Sequence, residues 1–114
     1  MNRLQYSPAA NQDLIGIKLY ISENLANPIA ANRIVKNITQ RIRRLSDHPY
    51  MGPSLSSIVD VETEYRFLVC GNYTSFYRVE NEVVYIIRIL YGKRDFMKIL
   101  FGESMIMKDE EELE

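Results

Sequence analysis

The chain predicts an α+β fold: an N-terminal strand, then a helical hairpin packed on a mainly antiparallel four-stranded sheet, then a short C-terminal helix and an acidic tail. Three observations carry that expectation. Two proline-started segments in the first half repeat apolar residues at helical spacing. Three short apolar stretches separated by turn residues follow them. The last of these, Val84-Tyr85-Ile86-Ile87-Arg88-Ile89-Leu90-Tyr91, is an almost unbroken β-branched and aromatic run, the pattern of a strand buried on both faces.

Leu4-Gln5-Tyr6 is a short strand candidate. Ser7-Pro8 supplies an N-cap and then proline at the first helical position, where its missing N–H costs nothing. From there Ala10, Leu14, Ile17, Ile21 and Leu25 fall on one helical stripe, while Ile15 and Leu19 point roughly the other way, so the helix either has neighbours on both sides or offers one side to a partner. Asn27-Pro28 repeats the same start signal. In the second helix Ala31, Ile34, Val35, Ile38, Ile42 and Leu45 share an apolar arc, and Arg33, Lys36, Arg41, Arg43 and Arg44 spread over the polar one. Asp47-His48-Pro49 stops that helix, and a polar loop runs to about Thr63. The strands are expected at Glu64–Cys70, Tyr73–Val79 and Val83–Tyr91, joined by Gly71-Asn72 and Glu80-Asn81-Glu82. Phe96–Phe101 closes the pattern as a short helix.

With 114 residues the chain has room for one core, expected to occupy residues 1–102, with residues 103–114 as the acidic tail. No apolar run approaches the roughly 20 residues that span a bilayer. The start, Met1-Asn2-Arg3-Leu4-Gln5-Tyr6, has no apolar signal region, and Cys70 is the lone cysteine, so a cytoplasmic location is expected. One cysteine and one histidine cannot furnish a zinc site, and no phosphate-binding glycine loop is present, so neither metal nor cofactor is expected.

The net charge of −1 hides an uneven distribution. Six of the 15 acidic residues lie in 103–114 with only Lys108 among the 14 cationic ones, which leaves 13 Lys+Arg against 9 Asp+Glu, about +4, in the body. Tyr65, Phe67, Tyr73, Phe76, Tyr77, Tyr85 and Tyr91 exceed what one small core face needs, and Arg66, Arg78 and Arg88 sit among them. An exposed face both aromatic and cationic is therefore expected. It would suit stacking on bases and pairing with phosphate, or clamping an acidic apolar peptide. Equally, the arginines could simply lie along the surface beside Glu64, Glu80 and Glu82.

Taken in order, Ser7-Pro8-Ala9, Asp13-Leu14, Ile17, Tyr20-Ile21, Ala30, Leu45, Pro49 with Gly52, Tyr65-Arg66, Tyr73, Phe76-Tyr77-Arg78-Val79 and Arg88 to Asp95 resemble the RelE/ParE superfamily of bacterial type II toxins. The resemblance spans about residues 3–101. Tyr91-Gly92-Lys93-Arg94-Asp95, and the helical hairpin with Pro28 and Ala30, are nearer the ParE-like branch. It implies a growth-arresting toxin held silent by a cognate antitoxin in a hetero-oligomer. The implied target is DNA gyrase for a ParE-like member, or messenger RNA on the ribosome for a RelE-like one. A non-toxic remnant that keeps only antitoxin binding is the third alternative.

Metal-free RNA cleavage needs a base for the 2′-hydroxyl, an acid for the leaving oxygen and cations for the phosphorane. If the chain is RelE-like, the resemblance offers Arg66 and Arg94, with Tyr91 able to reach the same cleft. Two positions depart from that pattern: Thr74 stands where an arginine is expected, and Leu100 where a tyrosine is. His48, before Pro49, reads as a helix-end contact. Asp95 reads as a partner of Arg94 or a helix cap. The residues expected to meet a target or an antitoxin are Ile15, Leu19, Arg66, Arg78, Arg88, Lys93 and Arg94.

Overall fold

The computed structural model describes residues 1–92 and 95–102. Lys93, Arg94 and the acidic tail lie outside the described residues. The elements are β1 (Arg3–Tyr6), α1 (Pro8–Leu19), a π-helical turn (Tyr20–Asn24), α2 (Pro28–Arg43), β2 (Arg66–Cys70), β3 (Tyr73–Glu80), β4 (Val83–Tyr91) and α3 (Phe96–Phe101). The sheet order is β1-β4-β3-β2, with β1 parallel to β4 and the other pairs antiparallel.

Both helix starts form as their sequences dictate. The Ser7 hydroxyl accepts the Ala10 N–H at 2.9 Å, and the Asn27 side-chain oxygen accepts that of Ala30 at 3.1 Å. The π-helical turn is not visible in the apolar spacing. Its wider turn, with the Leu25 N–H donating to the Tyr20 carbonyl, slips the stripe: Ile21 stays buried, while Leu25 is 56% exposed rather than continuing the apolar face. The β3–β4 turn is one residue tighter than expected. Glu80 pairs with Val83, and Asn81 and Glu82 take the two left-handed positions (φ 49° and 66°).

The hairpin covers one sheet face. Ala10, Ile38, Ile42 and Leu45 meet Leu68, Tyr77, Val84, Ile86 and Ile89 in a core from which water is excluded. The other face is not the exposed aromatic and cationic surface that the composition led us to expect. Phe67, Phe76 and Leu90 pack there with Leu55 of the long loop, and Phe96, Ile99, Leu100 and Phe101 of α3 lie against them. Phe76 and Phe96 stack with ring centroids 5.6 Å apart, and Tyr65 meets Phe101 edge-on at 5.7 Å. The physical reason is area: three large apolar side chains in adjacent strands would leave too much hydrocarbon in water, and α3 supplies matching cover.

Gly52 is where the long loop locks to the sheet. Its N–H donates to the buried Tyr77 hydroxyl at 3.0 Å, and its carbonyl accepts Arg66 Nε–H at 2.7 Å. A Cβ here would sit inside van der Waals contact of the Phe67 carbonyl, which is backbone and cannot step aside. Gly52→Ala should therefore destabilise the fold by about 1–3 kcal/mol, as overpacking of a tight site does, read as a lowered urea midpoint at unchanged slope.

Candidate functional site

The distinctive chemistry collects where β4 outlasts β1. The parallel pairing ends at Tyr6–Ile86, and the chain then turns into α1, leaving the outer edge of Ile87–Tyr91 without a strand partner. Side chains continue the ladder instead. The Ser7 hydroxyl donates to the Ile87 carbonyl at 2.7 Å, and the Asp13 carboxylate accepts the Ile89 N–H at 2.9 Å. The same carboxylate accepts Arg88 Nε–H at 2.8 Å and an Arg88 Nη2 hydrogen at 2.9 Å, a planar two-point match. Those hydrogen bonds hold the Arg88 pKa above its ordinary value against the opposing effect of burial.

Beyond Asp13 a groove of about 860 Å³ opens between α1, the start of α2, the β3–β4 strand ends and α3. Ile17, Ile21 and Ile34 line its helical walls, and Tyr73, Tyr91 and Ile99 its other side. Gly16 faces it with nothing within 4 Å of where a Cβ would be. Tyr73 and Tyr91 pack at 5.5 Å between ring centroids. Burial first, then the neighbouring Tyr91 and Tyr20 hydroxyls, push the Tyr73 pKa up, so Tyr73 stays a neutral hydrogen-bonding group and not a base. Tyr20, Leu25 and Tyr91 are all more than half exposed around this groove. Sequence reasoning did not assemble it, because its walls come from five separated segments. The only local signal was the unexplained richness in tyrosine.

The expected site residues are distributed as follows. Ile15 and Leu19 are half exposed on the arc of α1 beside Gly16. Arg66 donates to the Gly52 and Tyr50 carbonyls and lies over the Tyr50 ring at 5.3 Å. Arg78 is ion-paired with Glu80 and lies over the Tyr85 ring at 4.7 Å. Arg88 is held by Asp13, and Lys93 and Arg94 fall outside the described residues. Arg66 stands opposite Tyr77 and Tyr91 opposite Tyr73, on the strands either side of β3 and four residues apart along its direction, roughly 14 Å at ~3.4 Å per residue. The structure thus brings Tyr91 to Tyr73 and Arg88 to Asp13, but not Arg66 to Tyr91. Thr74 is buried. His48 is exposed, its backbone N–H donating to the Arg44 carbonyl. Asp95 occupies the N-cap position of α3 without a capping bond from its side chain. Among the described residues, no three His, Cys, Asp or Glu side chains gather as a metal site, and no helix is long and apolar enough to cross a membrane.

Residues 4–96 match the family described as the ParE toxin of the type II toxin–antitoxin system parDE. Among solved structures the chain is similar to one of the chromosomal ParDE toxin–antitoxin system from P. aeruginosa, with a TM-score of 0.69 and 23% identity over 81% of this chain and 97% of that one. It is also similar to a chain of the toxin–antitoxin complex RelBE2 from Mycobacterium tuberculosis, with a TM-score of 0.59 and 18% identity over 79% of this chain and 96% of that one. No curated protein sequence matches it.

The Asp13–Arg88 lock gives a direct test. Asp13→Ala should cost about 1–3 kcal/mol, since it strands a charged donor and a backbone N–H together. Combined with Arg88→Gln, the loss should be smaller than the sum of the two single losses, measured as a double-mutant cycle in urea.

Proposed function

We propose, for a chain that belongs to the ParE toxin family of type II toxin–antitoxin systems, that it arrests growth by inhibiting DNA gyrase and is kept silent by a cognate antitoxin. The observation that carries this reading over RNA cleavage is the register of the sheet. General acid and base must each lie within about 3 Å of the proton they move. Arg66 and Tyr91 stand on the strands either side of β3 and four residues apart along its direction, and the Arg66 guanidinium is already engaged by two carbonyls. Thr74 is buried, and Leu100 has no proton to give. An inhibitor that acts by binding needs no such set.

The antitoxin in this proposal occupies the groove beside Gly16 and passes over α1, where Leu19 and then Ile15 extend the apolar surface. An amphipathic segment meets the need: apolar side chains for Ile17, Ile21 and Ile34, and polar ones for the tyrosine rim.

Following thymidine and amino-acid incorporation in one culture after tightly controlled induction tests the target. Thymidine incorporation should fall first, and the purified protein should inhibit supercoiling by gyrase. An earlier fall in amino-acid incorporation would instead return Arg66, Arg94 and Tyr91 to the centre as a RelE-like ribonuclease set. Loss of neither would leave a non-toxic antitoxin-binding remnant.

The groove has its own test. Gly16→Leu fills it from an open helix position and, by removing a helical glycine, should leave the fold intact or slightly firmer. Antitoxin affinity should drop at least tenfold by calorimetry. Unchanged affinity would remove the groove from the antitoxin contact.

A further inference from the structure

The outward arc of α2 is unused by the fold. Arg33, Lys36 and Arg43 lie on it, and Arg44 continues it in the turn that follows; all four are exposed. Asn37 and Gln40, also exposed, fall between them. The buried Ala31, Ile38 and Ile42 occupy the opposite side against the sheet, so the arc faces outward, with Arg43 at its flank close enough to Tyr6 to act on its hydroxyl electrostatically. No acidic residue occurs from Asn24 to Ser46, and among the described residues the ion pairs are Arg78–Glu80 and Arg88–Asp13, neither of which involves this arc. Arg41, at its margin, is different: its Nε–H donates to the Val69 carbonyl.

We infer that this ridge binds the phosphate backbone of duplex DNA. The ten residue steps from Arg33 to Arg43 span about 15 Å at ~1.5 Å rise, roughly four base-pair steps at ~3.4 Å. Cations at both ends of one helical arc, with the amide donors Asn37 and Gln40 between them, suit contacts to successive phosphates. A protein interface would need a central aromatic or aliphatic anchor, and the one large apolar side chain exposed on this arc, Ile29, lies at its N-terminal end, before Arg33, and not at its centre. Single-stranded nucleic acid would need aromatic platforms for unpaired bases, and these too are missing. The choice of DNA over duplex RNA rests on the gyrase reading, because gyrase works on duplex DNA; the phosphate chemistry of the ridge does not rest on it.

The test is anisotropy of a labelled DNA duplex with the full-length protein alone, so it is independent of any effect on gyrase. Four contacts predict a log–log salt slope near −3.6, or about 150-fold weaker binding at 200 mM than at 50 mM salt. Arg33→Gln with Lys36→Gln should flatten the slope by about 2, and Arg43→Gln with Arg44→Gln, at the other end, should do the same. Arg3→Gln with Lys18→Gln removes equal charge from exposed positions elsewhere and should leave the slope unchanged. Absence of binding at 50 mM salt would overturn the inference. So would equal losses in the control pair, which would mean diffuse attraction, or tighter binding of an RNA duplex of the same sequence. If the ridge variants bind DNA normally but bind the antitoxin or gyrase more weakly, the ridge belongs to an acidic protein partner instead.

Discussion

One carboxylate holds the two halves of this fold together. β4 is longer than the strand beside it, and an unpaired strand edge inside a protein must find partners. Asp13 supplies them from the first helix, accepting one backbone N–H and both arms of Arg88. Ser7 serves the same edge just before it, its hydroxyl donating to the Ile87 carbonyl while also accepting the Ala10 N–H that caps α1. The helix axis is therefore fixed against the strand at two points, and the spacing of the groove walls follows from them. Hydrophobic packing alone would let a helix slide on a sheet; directed bonds to named backbone groups do not.

Burial of the sheet on both faces decides where chemistry can occur. With α1 and α2 on one side and α3 and the long loop on the other, little of the central sheet faces water. What remains accessible is the ends of strands and the outer arcs of helices. The three strand arginines adapt to this in different ways: Arg66 ties down a loop, Arg78 pairs with Glu80 on the surface, and Arg88 fastens a helix. Cations that were prominent in the sequence as potential binding groups thus have structural partners, whereas Arg33, Lys36, Arg43 and Arg44 make no ion pair or side-chain hydrogen bond among the described residues, and of the α2 cations Arg41 alone does.

Much of the fold was legible because its signals are local. Cap followed by proline marked both helices, and the bounds of β4 were readable from its apolar run and its flanking turns. The same run implied burial on both faces, which should have required a cover over Phe67 and Phe76; the aromatic count pulled the reading the other way. The site was less legible because its contacts join distant positions. Asp13 and Arg88 are 75 residues apart, and Arg66 is satisfied by carbonyls, which leave no mark in a pattern of charges. The irregularity between Phe76 and Tyr77 shifts the strand pairing, so simple alternation could not place Arg88 and Ile89. The slip at Tyr20–Asn24 had no compositional warning either.

The tyrosines around the groove have a spectroscopic consequence. The chain contains eight tyrosines and no tryptophan, so its near-ultraviolet emission comes from phenol rings alone. Tyr20, Tyr73 and Tyr91 sit together at one opening, two of them more than half exposed. Whatever enters there changes the solvent around these three fluorophores while the buried Tyr77 remains as an internal reference. Occupancy of the groove is thus written into the protein's own light emission, with no label attached.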